Sequence, residues 1–375
     1  MIIKSINLKN FRNYSDEKIE FHNKINIITG NNAQGKTNLI EAINLLSLSK
    51  SFRTKRESEM IMEGKDYFSV KGSFEKEGRD YTVEIIQNKD NSQKRKLIIN
   101  NYEKSKITDL LGGVYTIVFS PEDIGIIKGN PEGRRGFLDR EIILLRPLYY
   151  SKLKKYRRLL KNRNLLLKEE NIDLNLLEVY DEALSEAGAE VLMERLAYIK
   201  ILSEAGRDNG RRITNEKETL DLKYESNIYL GEEDEESDIK KIQTLMYEEL
   251  KKTREKDIKI GSTEKGPHRD DFSMLVNDKD LRVFGSQGQK RTAALSLKLA
   301  EEKLIKEETG EKAIILFDDV MSELDADRQK SIMENFEDNQ IFITAAEIND
   351  KVISKLSEGM IFNIDNGQIL TVSRL

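Results

Sequence analysis

The stretch Gly30-Asn31-Asn32-Ala33-Gln34-Gly35-Lys36-Thr37 fits the pattern G-x-x-x-x-G-K-[ST], and it has the flanks which that pattern requires. Ile25 to Thr29 is an apolar run of strand length, and Asn38 to Leu46 carries apolar residues at helical spacing. A strand, a glycine-bounded turn and a helix in this order form a phosphate cradle. Gly30 and Gly35 allow the tight turn, so that the N–H groups of Asn31, Asn32, Ala33 and Gln34 and the helix N-terminus at Asn38 can surround a phosphate. Lys36 then supplies a cation to the β and γ oxygens of ATP, and Thr37 an oxygen to Mg²⁺.

A second stretch answers the first. Ala313-Ile314-Ile315-Leu316-Phe317-Asp318-Asp319 is an apolar run closed by two carboxylates, the form of a doubly buried parallel strand that delivers Asp318 to the same ion. Gln340 to Thr344 reads as another core strand. Phe284-Gly285-Ser286-Gln287-Gly288-Gln289-Lys290-Arg291 opens a helical run, Thr292 to Glu308. Ser286 with Gln289 three residues on has the form of a capping box, so Ser286, Gly288 and Gln289 offer a positive helix N-terminus to an anion. The catalytic candidates are Lys36, Asp318 and Asp319. Arg12, in Asn10-Phe11-Arg12-Asn13-Tyr14 ahead of the cradle strand, is a candidate nucleotide or phosphate contact.

The rest of the chain divides around these motifs. Met1 to Leu8 and Lys18 to Phe21 have strand patterning; Tyr67 to Phe74, Arg79 to Gln87 and Lys94 to Ile99 form an antiparallel meander; Val114 to Phe119 is a strand stopped by Pro121. From Gly133 the period becomes helical. Residues 140–169 and 174–208 predict a helical hairpin, kinked or restarted at Pro147, with arms of about 40–50 Å. Residues 219–230 look like strands, and the acidic turn 231–238 caps a helix to about Arg254. Gly266-Pro267-His268-Arg269-Asp270-Asp271-Phe272 is a polar knot suited to positioning a substrate or a subunit contact. The expected division is 1–125 and 258–375 as two parts of one nucleotide-binding domain, with 126–257 as an inserted helical lobe.

At 62 basic against 67 acidic residues the net charge is −5, so nucleic acid can be bound only by a local patch. Two patches qualify. Lys50, Arg53, Lys55 and Arg56 crowd one loop; Lys152, Lys154, Lys155, Arg157, Arg158, Lys161 and Arg163 follow one another without an acid, near Tyr149, Tyr150 and Tyr156. The DNA-contact candidates are Lys50, Arg53, Lys55, Arg56, Lys154, Lys155, Arg157 and Arg158. With only His22 and His268, a histidine metal cluster is not expected. Cysteine is absent, and neither a signal-like leader nor a run approaching 18 apolar residues occurs, which predicts a soluble cytoplasmic protein without a membrane partner.

In this order the cradle, the serine-capped helix, the strand ending in two aspartates and Ser322-Glu323-Leu324-Asp325 resemble an ABC-type ATPase head. The fold expected is α/β, a mixed sheet with flanking helices and an antiparallel meander, plus the inserted helical lobe. The fuller set resembles the RecF family of bacterial recombination-repair proteins: Asn10 to Tyr14, Phe119 to Asp123, Arg134 to Asp139, Gly266 to Asp271, Gly285 to Gln289 and Asp318 to Asp325. The resemblance implies a weak, DNA-stimulated ATPase that dimerises in its ATP state on double-stranded DNA and single-strand/double-strand junctions, with RecR and RecO as partners that help load RecA. It also implies that Ser286 meets the nucleotide of a second subunit. Asp319 stands where most ABC ATPases carry glutamate, and Thr344-Ala345-Ala346-Glu347 offers no switch histidine, so hydrolysis is expected to be slow. A structural chromosome-organising head is the alternative, but it needs long heptad arms. A transporter subunit would lack the basic helical insertion.

Overall fold

The chain is described from a computed structural model over residues 1–54, 56–90, 95–214, 216–228, 238–323, 326–346 and 358–374. Lys55, most of the expected acidic turn, Leu324-Asp325 and Glu347 lie outside the described residues. Two compact units are formed, Met1–Asp123 with Glu301–Leu375, and Ile124–Ala300.

In the first unit, β1 (Ile2–Phe11) buries Ile3, Ile6, Leu8 and Phe11. The three-residue step from Ile3 to Ile6 breaks the period of two, and a register shift between Ile3 and Ser5 restores the apolar face. β1 and β2 (Tyr14–Glu20) both run longer than the sequence patterning suggests. Arg12 takes φ 53° and Phe11 pairs with Tyr14, so the Asn10–Tyr14 motif is a two-residue hairpin tip. β4 (Tyr67–Lys76), β5 (Arg79–Asn88), β6 (Lys96–Ile99) and β7 (Tyr102–Lys104) complete an antiparallel sheet of order β2-β1-β4-β5-β6-β7.

A second sheet of the same unit has the order β15-β14-β3-β13-β12-β8. Its strands β3 (Ile25–Thr29), β8 (Thr116–Phe119), β12 (Ile314–Phe317), β13 (Ile341–Ala345) and β14 (Gly359–Asp365) are parallel, and β15 (Gln368–Arg374) returns antiparallel. All four residues of β12 are buried, as expected of a strand covered on both faces. Helix α1 (Lys36–Leu48) buries every residue from Leu39 to Ser47 because it lies between the two sheets. Leu39, Ile43 and Leu46 share one core with Ile6, Phe68 and Val70 of the first sheet and Leu316 and Phe342 of the second. Truncating any of these to alanine costs about 2–5 kcal/mol.

In the second unit, α2 (Ile124–Lys128) leads into α3 (Pro131–Leu145), which starts at the Asn130 cap; α4 (Leu148–Leu166) restarts after Pro147. α5 (Leu174–Thr214) has 41 residues, about 60 Å, longer than the sequence reading. α6 (Ile239–Ile260) runs past Arg254 to a left-handed Gly261. The lobe is not a bare hairpin: α4, α6 and β9 (Leu220–Glu225) all pack on α5. β9 pairs with β10 (Asp271–Val276), which pairs with β11 (Lys279–Asp280). This pairing joins residues beyond 257 to the lobe. The unit therefore extends through α7 (Leu281–Phe284) to Ala300, inside α8 (Gln287–Thr309), and differs from the expected boundary at 257. α9 (Ala326–Asn335) belongs to the first unit.

Candidate nucleotide site and basic surface

The phosphate cradle joins β3 to α1, and the two aspartates follow β12; between those strands in the sheet lies β13. Gly30 has φ 137° and Gly35 φ 121°, and a Cβ on Gly30 would stand 2.2 Å from the Ile364 carbonyl, so neither position tolerates a side chain. Lys36 is buried, and its Nζ donates to Gly30 O at 2.7 Å and Asn31 O at 3.0 Å. The Thr37 hydroxyl donates to Asp318 Oδ1 at 2.8 Å. These two oxygens come from motifs 281 residues apart, and at this spacing both could ligate one Mg²⁺. Burial pushes the Asp318 carboxyl above its ordinary value, against the opposing pull of hydrogen bonds from Thr37 and Thr344.

Thr344, at the end of β13, was not singled out by sequence reasoning, yet it organises the carboxylates. Its Oγ1 accepts from the Asp319 N–H at 2.9 Å and lies 3.1 Å from Asp318 Oδ1 and 3.3 Å from Asp319 Oδ1. Asp319 takes φ 55°, a conformation that Asp and Asn adopt more readily than other side-chain-bearing residues. The carboxyl next to Asp318 is thereby held by backbone geometry and not by side-chain length alone.

Arg12, expected to face nucleotide, is committed elsewhere in this structure. Its guanidinium forms a bidentate pair with the buried Glu41 at 2.8 and 2.7 Å and donates to Glu59 O at 2.6 Å. Glu41 sits on α1 one turn beyond Thr37, and it also accepts from Ser51 and lies 3.5 Å from Arg53. Arg53 donates to Asn38 Oδ1 at 2.8 Å, so Asn38 and Arg53 are coupled to the cradle helix. Of the loop cations, Lys50, Arg53 and Arg56 are exposed.

In the second unit, the capping box forms as its spacing predicts: Gln289 N–H donates to Ser286 Oγ at 3.1 Å and Ser286 N–H to Gln289 Oε1 at 2.9 Å. Gln289 Nε2 donates to Glu218 at 3.0 Å, while Gly288 lies in the first turn of α8. Four cations of the basic run on α4 take acidic partners within the lobe, and one of them is buried. Arg163 is fully buried between Asp181 and Asp257 at 2.7 and 2.8 Å, Arg157 pairs with Asp139, Lys152 with Glu194 and Lys155 with Glu186. Arg157 and Lys155, expected as phosphate contacts, are paired with acids from other segments but stay exposed. Lys154, Arg158 and Lys161 remain exposed on one helical face. The polar knot is also internal: Arg134 grips Asp271 bidentately at 2.7 and 2.6 Å, Arg135 donates to Asp270 O, and Arg195 bridges Asp139 to Pro267 O. It joins α3 to β10, while Arg269 stays exposed.

A family model described as RecF/RecN/SMC N terminal domain matches residues 2–362. The chain is 39% identical over 372 residues to the DNA replication and repair protein RecF of Clostridioides difficile (strain 630), covering 99% of both. It is 40% identical to the protein of that name from Clostridium novyi (strain NT), over 98% of this chain and 99% of the other. A solved structure described as the recombination mediator protein RecF-ATP in the RecFOR pathway matches with a TM-score of 0.91 at 39% identity, covering 100% of this chain and 97% of that one. With the ATPase-head fold, the phosphate cradle and the carboxylate strand all in place, the chain belongs to the RecF family.

Proposed function

We propose that this chain is an ATP-dependent, dimerising DNA-binding protein of recombinational repair and replication restart, with slow DNA-stimulated ATP hydrolysis. The observation that carries the reading is the Thr37–Asp318 contact, which brings the two Mg²⁺ ligands of a P-loop ATPase within one hydrogen bond. MgATP supplies the γ-phosphoryl group and the divalent charge that offsets it. Lys36 would exchange its loop carbonyls for phosphate oxygens, Thr37 and Asp318 would hold the ion, and Asp319 would take the proton of the attacking water. One methylene shorter than glutamate, Asp319 sits farther from that water, which makes it a weaker base and the protein a switch more than a motor.

Ser286 and the amides of Gln287 and Gly288 serve the nucleotide of a second subunit, in a two-fold dimer that ADP cannot hold because it lacks the γ-phosphate. Lys154, Arg158 and Lys161, with Lys50 and Arg56, contact the backbone of duplex DNA and of single-strand/double-strand junctions. RecR and RecO are the protein partners that family membership supports, acting with this chain in RecA loading. Sedimentation velocity with and without MgATP and duplex DNA tests the reading: dimers are expected only with MgATP, and DNA is expected in the dimer peak. A dimer that forms equally well without nucleotide, or a monomer under every condition, refutes it.

A further inference from the structure

The cradle is held from outside by two turns far from it in sequence. One is the β1–β2 tip. Asn13 Nδ2 donates to Gln34 O at 2.8 Å, Asn13 Oδ1 accepts from Asn38 Nδ2 at 2.8 Å, and the Tyr14 hydroxyl donates to Gly35 O at 3.0 Å. The other is the β14–β15 turn, where Asn366 (φ 45°) and Gly367 (φ 74°) form the left-handed pair that a two-residue hairpin needs. There Gly367 N–H donates to the same Gln34 O at 2.9 Å, and Asn366 N–H to Gln34 Oε1 at 2.6 Å. The two turns also touch each other: a Cβ on Gly367 would stand 2.2 Å from Asn13 O.

We propose that the Asn366–Gly367 turn and Asn13 form a clasp on Gln34 that preorganises the cradle for phosphate, with Asn13, Gln34 and Gly367 as positioning residues. The physics follows from where the carbonyl goes. Gln34 O, held outward by two donors, cannot turn into the loop to meet an anion, and fixing this peptide fixes the N–H of Gly35 on the side opposite that oxygen. A loop already in the phosphate-binding conformation spares bound nucleotide the ordering cost. The inference rests on the reading of the cradle as an ATP site. It goes beyond that reading by assigning part of the site to a C-terminal hairpin that need not touch nucleotide.

The structure contains its own control. Glu77 (φ 51°) and Gly78 (φ 71°) make a turn of the same hand between β4 and β5, but a Cβ on Gly78 meets nothing within 4 Å. Gly367→Ala and Gly78→Ala therefore impose similar backbone strain, and only the first pushes on the clasp. Equilibrium titration with MgATP is expected to show binding weakened at least about tenfold in Gly367→Ala and changed less than about twofold in Gly78→Ala. Asn13→Ala, which removes the side-chain half of the clasp without straining β15, is expected to weaken binding in the same direction. Hydrogen exchange of segment 30–37 should quicken in both clasp variants and not in Gly78→Ala, an effect that general destabilisation would spread over both hairpins. Wild-type affinity in Gly367→Ala and Asn13→Ala, or equal loss in Gly78→Ala, overturns the clasp while leaving the ATP site standing. Failure of the wild-type protein to bind MgATP overturns both.

Discussion

Acidification should destabilise the second unit through a single half-buried imidazole. His268 Nε2 lies 2.9 Å from Thr263 O, a pure acceptor, and Nδ1 lies 2.7 Å from the Tyr156 hydroxyl. The neutral ring therefore carries its proton on Nε2 and accepts from Tyr156 at Nδ1. Protonation would turn Nδ1 into a second donor facing that hydroxyl, with Arg269, Arg135 and Arg163 nearby. Burial first, and these cations after it, lower the imidazole from 6.5 to about 4. Between those values the unfolded chain holds a proton that the folded chain does not, so stability is complete above pH 6.5 and falls as pH drops toward 4. At 1.36 kcal/mol per unit the full interval is worth about 3 kcal/mol, trimmed to about 2–3 kcal/mol because an edge of the ring reaches solvent. Urea titrations followed by far-UV circular dichroism at pH 7 and pH 4.5 measure the loss. His268→Gln, which cannot titrate, should lose about 2 kcal/mol less over this range than wild type. Asp270, raised by burial, has the opposite sign but is common to both proteins, so it cancels in the difference. Parallel pH dependence in the two proteins would refute the argument.

Five further outcomes follow from the same geometry. Lys36→Ala should weaken MgATP binding at least ~30-fold in equilibrium titration, because the γ-phosphate loses the cradle's only cation. Asp319→Asn should bind MgATP normally, since asparagine also adopts φ 55°, yet lose about 10²–10⁴ in kcat; Asp318→Asn should instead raise the Mg²⁺ requirement. In the wild-type protein Mg²⁺ competes with protons for the Asp318 carboxyl, which burial raises, so a metal titration should show affinity falling on acidification at a higher pH than for an ordinary aspartate. Replacing Lys154, Arg158 and Lys161 by glutamine should reduce the slope of log K against log salt for duplex DNA by about 0.9 per lost phosphate contact, and an unchanged slope moves the surface to Lys50 and Arg56. Ser286→Arg should block dimers and turnover without weakening ATP binding to the monomer. Mixed with Lys36→Ala it should recover some ATPase activity, since such a heterodimer holds one intact composite site, and ATP-dependent dimers of Ser286→Arg alone would exclude the trans role.

What the sequence made legible was whatever depends on local backbone. Gly30 and Gly35 announce left-handed turns, Ser286 and Gln289 announce a cap, and the apolar run before Asp318 announces a doubly covered strand. The Asn366–Gly367 pair is likewise a readable hairpin turn, but nothing near it says that it will close on Gln34, 332 residues away. The same limit governs the charges. Arg163 and Arg158 stand five residues apart on one helix and are chemically alike, yet Asp181 and Asp257, 18 and 94 residues distant, draw the first wholly into the core. Burying a guanidinium without those two carboxylates would be prohibitive, so the acids, not the cation, decide which side of the helix Arg163 serves. A basic run in sequence therefore counts cations before subtraction, and only folding performs the subtraction. For α4 it buries Arg163, ties Lys152, Lys155 and Arg157 into ion pairs, and leaves Lys154, Arg158 and Lys161 exposed outside those pairs. Those three follow one another at intervals of four and three residues, about 6 and 4.5 Å along the helix, so they form a continuous cationic line that the full run of seven does not.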